Sequence, residues 1–162
     1  MTIAATAAVF RQAGAPPAIE PVTLEEPRAD EVQVEIRGVG VCHTDMVMRD
    51  GHLPIPLPVV LGHEGAGVVT AVGAAVTGLN PGDHVILSFM SCSQCVSCEE
   101  HQPAYCHNWV PLNFFGARAD GSSSLTDAAG APVHSHIFGQ SSFASHALVN
   151  QRNAIKVDKD LP

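Results

Sequence analysis

Five cysteines carry the most specific chemical information in this sequence, and four of them lie within fifteen residues. They follow the pattern C-x2-C-x2-C-x7-C, and they are Cys92, Cys95, Cys98 and Cys106. A two-residue spacer lets both sulfurs of a pair face one centre, so four thiolates at about 2.3 Å can enclose Zn²⁺ tetrahedrally. The spacing therefore predicts a structural zinc loop over residues 91–107, which the metal must order because this polar stretch has no apolar core of its own.

Two other uses of the clustered cysteines remain open from the residues alone. A disulfide cluster needs an oxidising compartment, and the apolar start of the chain lacks the basic leading segment of a secretory signal. It would also leave the fifth cysteine, Cys42, unpaired. An iron–sulfur cluster uses the same ligands but usually has a different spacing. Zinc is the interpretation that the spacing favours most.

A second set of ligand-type residues is spread over the sequence. Cys42 lies in G-V-G-V-C-H-T-D, and His63 and Glu64 follow in G-H-E. Each of these residues alone is weak evidence, because a single cysteine or histidine is more often structural. Together, however, they could hold a Zn²⁺ ion with three protein ligands and one open position, where a bound alcohol loses its proton more readily.

Short strands and turns must position these residues. Alternation and apolar runs predict strands over residues 2–10, 31–39, 67–72, 83–87, 143–149 and 154–157. A short helix is expected over 42–50, an extended connector over 53–58 because it holds three prolines, and an exposed excursion over 116–131. Many short strands with glycine turns and little helix favour a mainly β (α+β) fold, namely a partly open β-barrel.

Composition limits the classes of function. The chain has 162 residues, 46% of them apolar, which suits one folded domain over 1–162. Its formal net charge of −8 argues against nucleic acid or an anionic membrane as a partner. No apolar run approaches the roughly 20 residues that cross a bilayer. Together with the absence of a secretory signal, this predicts a cytoplasmic location.

The longer pattern around His63 resembles a known family. It matches, at each specified position, the signature of the zinc-dependent medium-chain alcohol dehydrogenases, which here reads Gly62-His63-Glu64-x2-Gly67-x5-Gly73-x2-Val76. The Cys42 motif and the four-cysteine loop occur in the same order as in that family. Within it, C-H-T-D-M-V-M-R-D and F-G-Q-S-S-F-A are most similar to the aryl (benzyl-type) alcohol dehydrogenases. The resemblance implies a GroES-like barrel and NAD-dependent oxidation of a primary, aromatic alcohol to an aldehyde.

The resemblance also implies a role for each matching residue near the catalytic metal. Cys42 and His63 would bind a catalytic zinc, and Glu64 beside it would ligate the metal transiently. Asp45 would orient the imidazole that faces the metal. Thr44 would supply the hydroxyl that takes the alcohol proton. In the same way, the four clustered cysteines would hold the structural zinc.

Further positions match the cofactor and substrate contacts of the family. His43 lies where relatives place a basic group against the cofactor pyrophosphate. Leu53, Ile137 and Phe138 fall where the family lines its substrate pocket, and Phe89 matches that pocket more loosely. The implied partners are a small alcohol or aldehyde, a nucleotide-binding domain and, in the full-length enzyme, further copies of the chain in a homo-oligomer.

Two features depart from the family pattern. Val47 stands where many relatives have a histidine that ends a proton relay, so the proton is expected to leave through water. The 162 residues also contain neither the third zinc ligand, a cysteine, nor a G-x-G-x-x-G motif after a strand. We therefore expect the catalytic half of a dehydrogenase without its Rossmann domain, which binds one zinc tightly and is inactive by itself.

Other interpretations stay open from the sequence. The chain could be a stand-alone zinc-binding GroES-like interaction module without catalysis. Co-chaperonin ring proteins and zinc-free quinone reductases share the barrel, but their sequences lack these cysteines. His134 and His136 form an H-x-H pair that is expected at the start of a strand rather than at a metal. Tyr105 and Trp109 are expected to pack the zinc loop against the barrel.

Overall fold

The computed structural model describes residues 2–161, which form two five-stranded sheets. The strands are β1 (Ile3–Phe10), β2 (Ala18–Leu24), β3 (Glu31–Val39), β4 (Val59–Val60), β5 (Gly65–Val72), β6 (His84–Leu87), β7 (Leu125–Asp127), β8 (Pro132–Val133), β9 (His146–Asn150) and β10 (Ala154–Val157). The α-helices are short, and they are α1 (His43–Arg49), α2 (Val96–Glu99) and α3 (Trp109–Phe114). Single 3-10 turns occupy Pro103–Tyr105, Ile137–Gly139 and Gln151–Asn153. No helix within residues 2–161 is long and apolar enough to cross a membrane.

The two sheets join into a barrel that is only partly closed. Their strand orders are β4-β1-β2-β7-β8 and β10-β6-β5-β3-β9, and the ladders within each sheet are antiparallel. Ser145 links the sheets, because its N–H donates to the Thr6 carbonyl at 2.7 Å and its carbonyl accepts from the Ile36 N–H at 2.9 Å. The expected mainly β, partly open barrel is therefore confirmed.

Strand β9 separates two apolar cores. Leu148 packs with the inward side chains of β1 and β2, whereas its neighbours Ala147 and Val149 pack with those of β3, β5 and β6. This alternation follows from the two-residue period of a strand, which sends successive side chains to opposite faces. A third apolar cluster lies beside α1, where Met48 packs against Val59 of β4. That third cluster anchors the helix that carries the candidate catalytic residues.

The predicted strands are present with small shifts, but two regions differ from expectation. The strand expected over 143–149 begins only at His146, because the residues before it bridge the two sheets. The expectation of an exposed excursion over 116–131 is correct only for residues 119–121 and 128–131 and wrong for the rest of the segment. Leu125 in this region is 3% exposed and belongs to β7, which pairs with β2. The Arg118 side chain is also only 6% exposed and paired with the Glu31 carboxylate at 2.6 Å, so both a strand and an ion pair hold the segment to the barrel.

Glycines of the family signature occupy positions where the backbone of another strand comes too close for a side chain. A Cβ on Gly67 of β5 would overlap the backbone carbonyl of Glu35 in β3, next to a register shift in that ladder. A Cβ on Gly73 would overlap the Arg28 carbonyl in the same way. Gly67 and Gly73 are therefore required by these close backbone contacts, whereas Gly62, the first glycine of the signature, has a φ of 91° that favours glycine.

This close approach predicts a difference between two glycine substitutions. Gly67→Ala is expected to lower the free energy of unfolding by about 2–3 kcal/mol, because a backbone carbonyl cannot move aside as a side chain can. Gly38→Ala in β3 is the matched control, since no atom lies within 4 Å of its added Cβ. The control should change stability by no more than about 0.5 kcal/mol. Urea denaturation of both variants would contradict this account if their midpoints were equal.

Candidate metal centres

The loop over residues 91–107 brings four sulfurs to one point. The Sγ atoms of Cys92, Cys95, Cys98 and Cys106 all lie within 4.8 Å of one another, and those of Cys92 and Cys98 are 3.9 Å apart. A tetrahedron with Zn–S bonds of about 2.3 Å has sulfurs about 3.8 Å apart. All four cysteines are free thiols. The donor set and its spacing therefore fit a closed, four-thiolate zinc centre.

Backbone amides around this cluster favour negative charge on its sulfurs. The pKa of Cys92 is lowered to about 6, chiefly by the backbone N–H of Gln94. The N–H of His107 donates to Cys95 Sγ at 3.5 Å and lowers the pKa of that thiol. Burial has the opposite effect on Cys98 and raises its pKa to about 11. A metal that binds all four sulfurs must therefore displace protons, and its affinity depends on pH.

A buried asparagine joins the zinc loop to the end of the barrel. Asn113 of α3 is fully buried, and its side-chain carbonyl accepts from the Met90 N–H at 2.9 Å. Its amide donates to the carbonyls of Met90 and Trp109 at 2.9 and 2.6 Å. A buried side-chain amide with all its partners supplied fixes backbone geometry strongly. No periodicity or motif in the sequence pointed to this residue.

Aromatic contacts confirm one expectation about the loop and contradict another. Trp109 lies edge-on to Phe114 and Phe138, with ring centroids 5.3 and 5.7 Å apart, so it packs the loop against the barrel as expected. Phe89 is tilted against the same indole at 6.5 Å. The expectation for Tyr105 is wrong, because its side chain is 71% exposed on a 3-10 turn where nothing covers it.

A second cluster of donor atoms lies where α1 begins beside the start of β5. Ligand atoms of Cys42, His63 and Glu64 are all within 4.8 Å of one another. Cys42 is the extended residue that precedes α1, and the other two immediately precede β5. Thiolate, imidazole and carboxylate are the three ligand types that Zn²⁺ prefers in proteins. The structure thus brings together residues that are twenty-one positions apart in the sequence.

The buried carboxylate of Asp45 ties the two segments of this centre together. It is 0% exposed and accepts the Cys42 N–H at 3.0 Å and the Gly62 N–H at 3.1 Å. His63 Nδ1 lies 3.2 Å from Asp45 Oδ1, close enough for an ion pair when the imidazole is protonated. This carboxylate raises the pKa of His63 to about 8, against the effect of burial. A metal at this centre must therefore displace a proton from the imidazole near neutral pH.

The first turn of α1 holds the other residues expected near the catalytic metal. Thr44 Oγ1 lies 3.6 Å from Cys42 Sγ, and the backbone N–H of Thr44 is the main cause of a lowered pKa for that thiol. His43 is exposed at the first helical position. Val47 is half-buried one turn later. The helix thus presents a hydroxyl beside the thiol and leaves a histidine facing solvent.

Three of the four residues expected in the substrate pocket belong to one apolar cluster. Leu53 and Phe138 are half-buried in it, and Ile137 is 0% exposed. The Phe138 ring stacks on the His63 imidazole, with centroids 4.5 Å apart and planes at 25°. Phe89 lies outside this cluster and contacts it through Trp109. Phe138, with Trp109 packed against it, therefore forms an aromatic wall beside the second centre. Ile137 has no exposed surface and lies beneath this wall's cluster rather than at its surface.

The H-x-H pair is not at the start of a strand, so that expectation is wrong. His134 and His136 follow the end of β8 instead. The backbone of His136 turns there at φ 64°, which ends the extended chain. Burial lowers the pKa of His136 to about 4, so the ring is neutral. Neither histidine joins a cluster of three or more ligand-type side chains in the part of the chain that the structure describes.

The chain thus folds as a partly open barrel that carries two clusters of side chains able to bind a metal ion. The chain belongs to the family described as "Alcohol dehydrogenase GroES-like domain", whose model matches residues 28–159. This confirms the expected relationship to the zinc-dependent medium-chain alcohol dehydrogenases.

Named relatives agree with this family. The chain is 54% identical over 160 residues to geraniol dehydrogenase from Castellaniella defragrans, covering 99% of this chain and 43% of that protein. A crystal structure of an alcohol dehydrogenase zinc-binding domain protein from Burkholderia ambifaria has a TM-score of 0.98 at 56% identity, covering 100% of this chain and 44% of that one. Benzyl alcohol dehydrogenase from Acinetobacter calcoaceticus has a TM-score of 0.93 at 42% identity, with 99% and 42% covered. The chain therefore spans less than half the length of these relatives.

Proposed function

We propose that the chain is the catalytic-domain portion of a zinc-dependent alcohol dehydrogenase. The reaction would oxidise a primary alcohol to an aldehyde and transfer hydride to NAD. The observation that carries this proposal is the convergence of Cys42, His63 and Glu64, whose ligand atoms lie within 4.8 Å. When bound there, zinc would act as a Lewis acid that lowers the pKa of an alcohol.

The residues around that centre suit deprotonation of an alcohol. Thr44 places a hydroxyl 3.6 Å from the Cys42 sulfur, where it would accept the alcohol proton. Asp45 would fix the orientation of His63 and keep its Nε2 directed at the metal. Val47 offers no proton acceptor on the next turn, so we infer that water carries the proton onward.

The aromatic wall suits an alcohol whose carbinol carbon is bonded to an unsaturated carbon. Geraniol and benzyl alcohol, the alcohols in the names of two relatives, share that feature. Phe138 and Trp109 would contact the flat, unsaturated part of such a substrate and exclude water from it. We therefore propose primary allylic and benzylic alcohols as the substrate class, with Leu53 and Phe89 as supporting apolar contacts, whereas Ile137 is covered and would not touch the substrate.

The remaining parts of the proposal concern the cofactor and the assembly. His43 is exposed beside the centre and would face the pyrophosphate of the nicotinamide cofactor, which a nucleotide-binding domain would hold. The four-cysteine centre would hold a structural zinc. We propose a cytoplasmic location, because thiolate centres of this kind persist where thiols stay reduced. A homo-oligomeric full-length protein is proposed on the family resemblance alone.

Activity of the full gene product tests this function. We expect NAD reduction with geraniol or benzyl alcohol, and a His63→Ala variant should lower kcat/KM by about a thousandfold, because Lewis-acid stabilisation is worth several kcal/mol. His52→Ala is the matched control, since His52 is exposed outside both centres. Absence of oxidation by the unaltered protein, or equal losses in both variants, would contradict the proposal.

A further inference from the structure

The backbone that carries His63 and Glu64 is held by a buried glutamine from a distant part of the chain. Gln140 is 2% exposed and follows the 3-10 turn Ile137–Gly139. Its side-chain Nε2 donates to the His63 carbonyl at 2.9 Å, and its Oε1 accepts the Gly65 N–H at 3.1 Å. The amide therefore uses a donor and an acceptor on the two residues that flank Glu64.

These two hydrogen bonds fix the backbone conformation at Glu64. The His63 carbonyl belongs to the peptide plane before Glu64, and the Gly65 N–H belongs to the plane after it. Because each peptide plane is rigid, holding both planes sets φ and ψ at the residue between them. The direction of the Glu64 Cα–Cβ bond, and so the reach of its carboxylate, follows from those two angles.

The opposite side of Glu64 is closed by the segment that leads to Cys42. The Gly40 N–H donates to the Glu64 carbonyl at 3.1 Å, and a Cβ on Gly40 would overlap the Glu64 carboxylate. The backbone of Glu64 thus lies between the segment of the first ligand and the amide of Gln140, and its side chain remains exposed. The same amide also lies 3.4 Å from the Ser88 carbonyl, at the end of β6.

The segment around Gln140 has an unfavourable backbone that other contacts hold in place. Phe138 and Ser141 have φ of 52° and 53°, a region that residues other than glycine seldom adopt. Ser141 Oγ donates to the Val60 carbonyl at 2.6 Å and accepts the Ile137 N–H at 3.0 Å. Strain of this kind persists where surrounding contacts enforce it, and here it places the Phe138 ring on the His63 imidazole and the Gln140 amide on the backbone behind it.

We propose that Gln140 is a positioning residue for the second metal centre, which holds His63 and Glu64 in place to bind the ion. This inference rests on the proposed function, because it requires that Cys42, His63 and Glu64 bind a metal. It extends that function to a residue that contacts no ligand atom and acts only through the backbone of the ligands.

Cobalt binding by the full gene product tests this inference. Co²⁺ replaces zinc and reports ligand geometry through its visible absorption, so Gln140→Met should weaken cobalt binding at the second centre about tenfold or more and alter that absorption. Gln33→Met is the matched control, because Gln33 is also a buried glutamine, at 6% exposure, but it bonds Thr70 away from both centres. The control should keep the wild-type affinity and spectrum.

The four-cysteine centre shows within each sample whether the variant is folded. If Gln140→Met loses that cobalt signal too, Gln140→Glu decides, since it has the same shape but cannot donate to the His63 carbonyl when ionised. Unchanged cobalt affinity and spectrum in a folded Gln140 variant would overturn the inference and leave the proposed function intact. Failure of the unaltered full gene product to bind a second cobalt would instead overturn the proposed function.

Discussion

Replacing Cys98 by serine is expected to remove the tightly bound zinc and to unfold residues 91–107. The reason is that this loop has little other support, since α2 is four residues long and buries none of its side chains. If free zinc is a thousandfold above its Kd, losing the site should lower the free energy of unfolding by about 4 kcal/mol. Zinc content after dialysis and trypsin cleavage within the loop measure the two effects.

The matched control for this experiment is Cys42→Ser. It removes a thiol of the same chain but from the other centre, so the tightly bound zinc and the protection of the loop should remain. An equal loss of zinc from both variants, or a Cys98→Ser variant that keeps one zinc and resists trypsin, would contradict a four-thiolate centre.

Replacing Asp45 by alanine is expected to lower the free energy of unfolding by about 2–4 kcal/mol, because the N–H groups of Cys42 and Gly62 would be buried without partners. Asp50→Ala is the control, since that carboxylate is exposed at the end of the same helix. Its change should be much smaller. Urea denaturation of the two variants compares them directly, and similar losses would contradict the central role of Asp45.

The same carboxylate predicts a pH dependence in the metal-free chain. Because Asp45 raises the pKa of His63 from 6.5 to about 8, the charged pair stabilises the fold fully below pH 6.5. This contribution is lost as the pH rises through 8. The stability difference between the unaltered chain and Asp45→Asn should therefore shrink between pH 6.5 and 9. If this stability difference stays constant from pH 6.5 to 9, Asp45 does not raise the pKa of His63.

The sequence predicted which ligand-type side chains the structure brings together, because metal ligands can be recognised by residue type and spacing. The four cysteines lie within fifteen residues, so one loop is enough to bring their sulfurs together. Cys42 and His63 are brought together by the tertiary fold, so only the family signature allowed their proximity to be predicted from the sequence. Gln140 and Asn113 could not be foreseen, because a buried amide is defined by the backbone groups it meets in three dimensions and not by its neighbours in the sequence.

Strand β2 shows why part of the fold was missed as well. Pro21 lies in its middle, and proline argues against a strand because it has no N–H for the ladder. In the structure, the pairing of β2 with β7 covers only Val22 to Leu24, so Pro21 needs no partner on that side. The register of a neighbouring strand therefore made acceptable a residue that local propensity disfavours.

The most direct test of the central claim is a cobalt titration of the full gene product and its Cys42→Ser variant. We expect one equivalent to bind tightly with the absorption of a four-thiolate site, and a second to bind more weakly at Cys42, His63 and Glu64. The substitution should remove only the second equivalent. A second equivalent that is unaffected by Cys42→Ser, or no second equivalent at all, would show that these side chains do not form a metal centre.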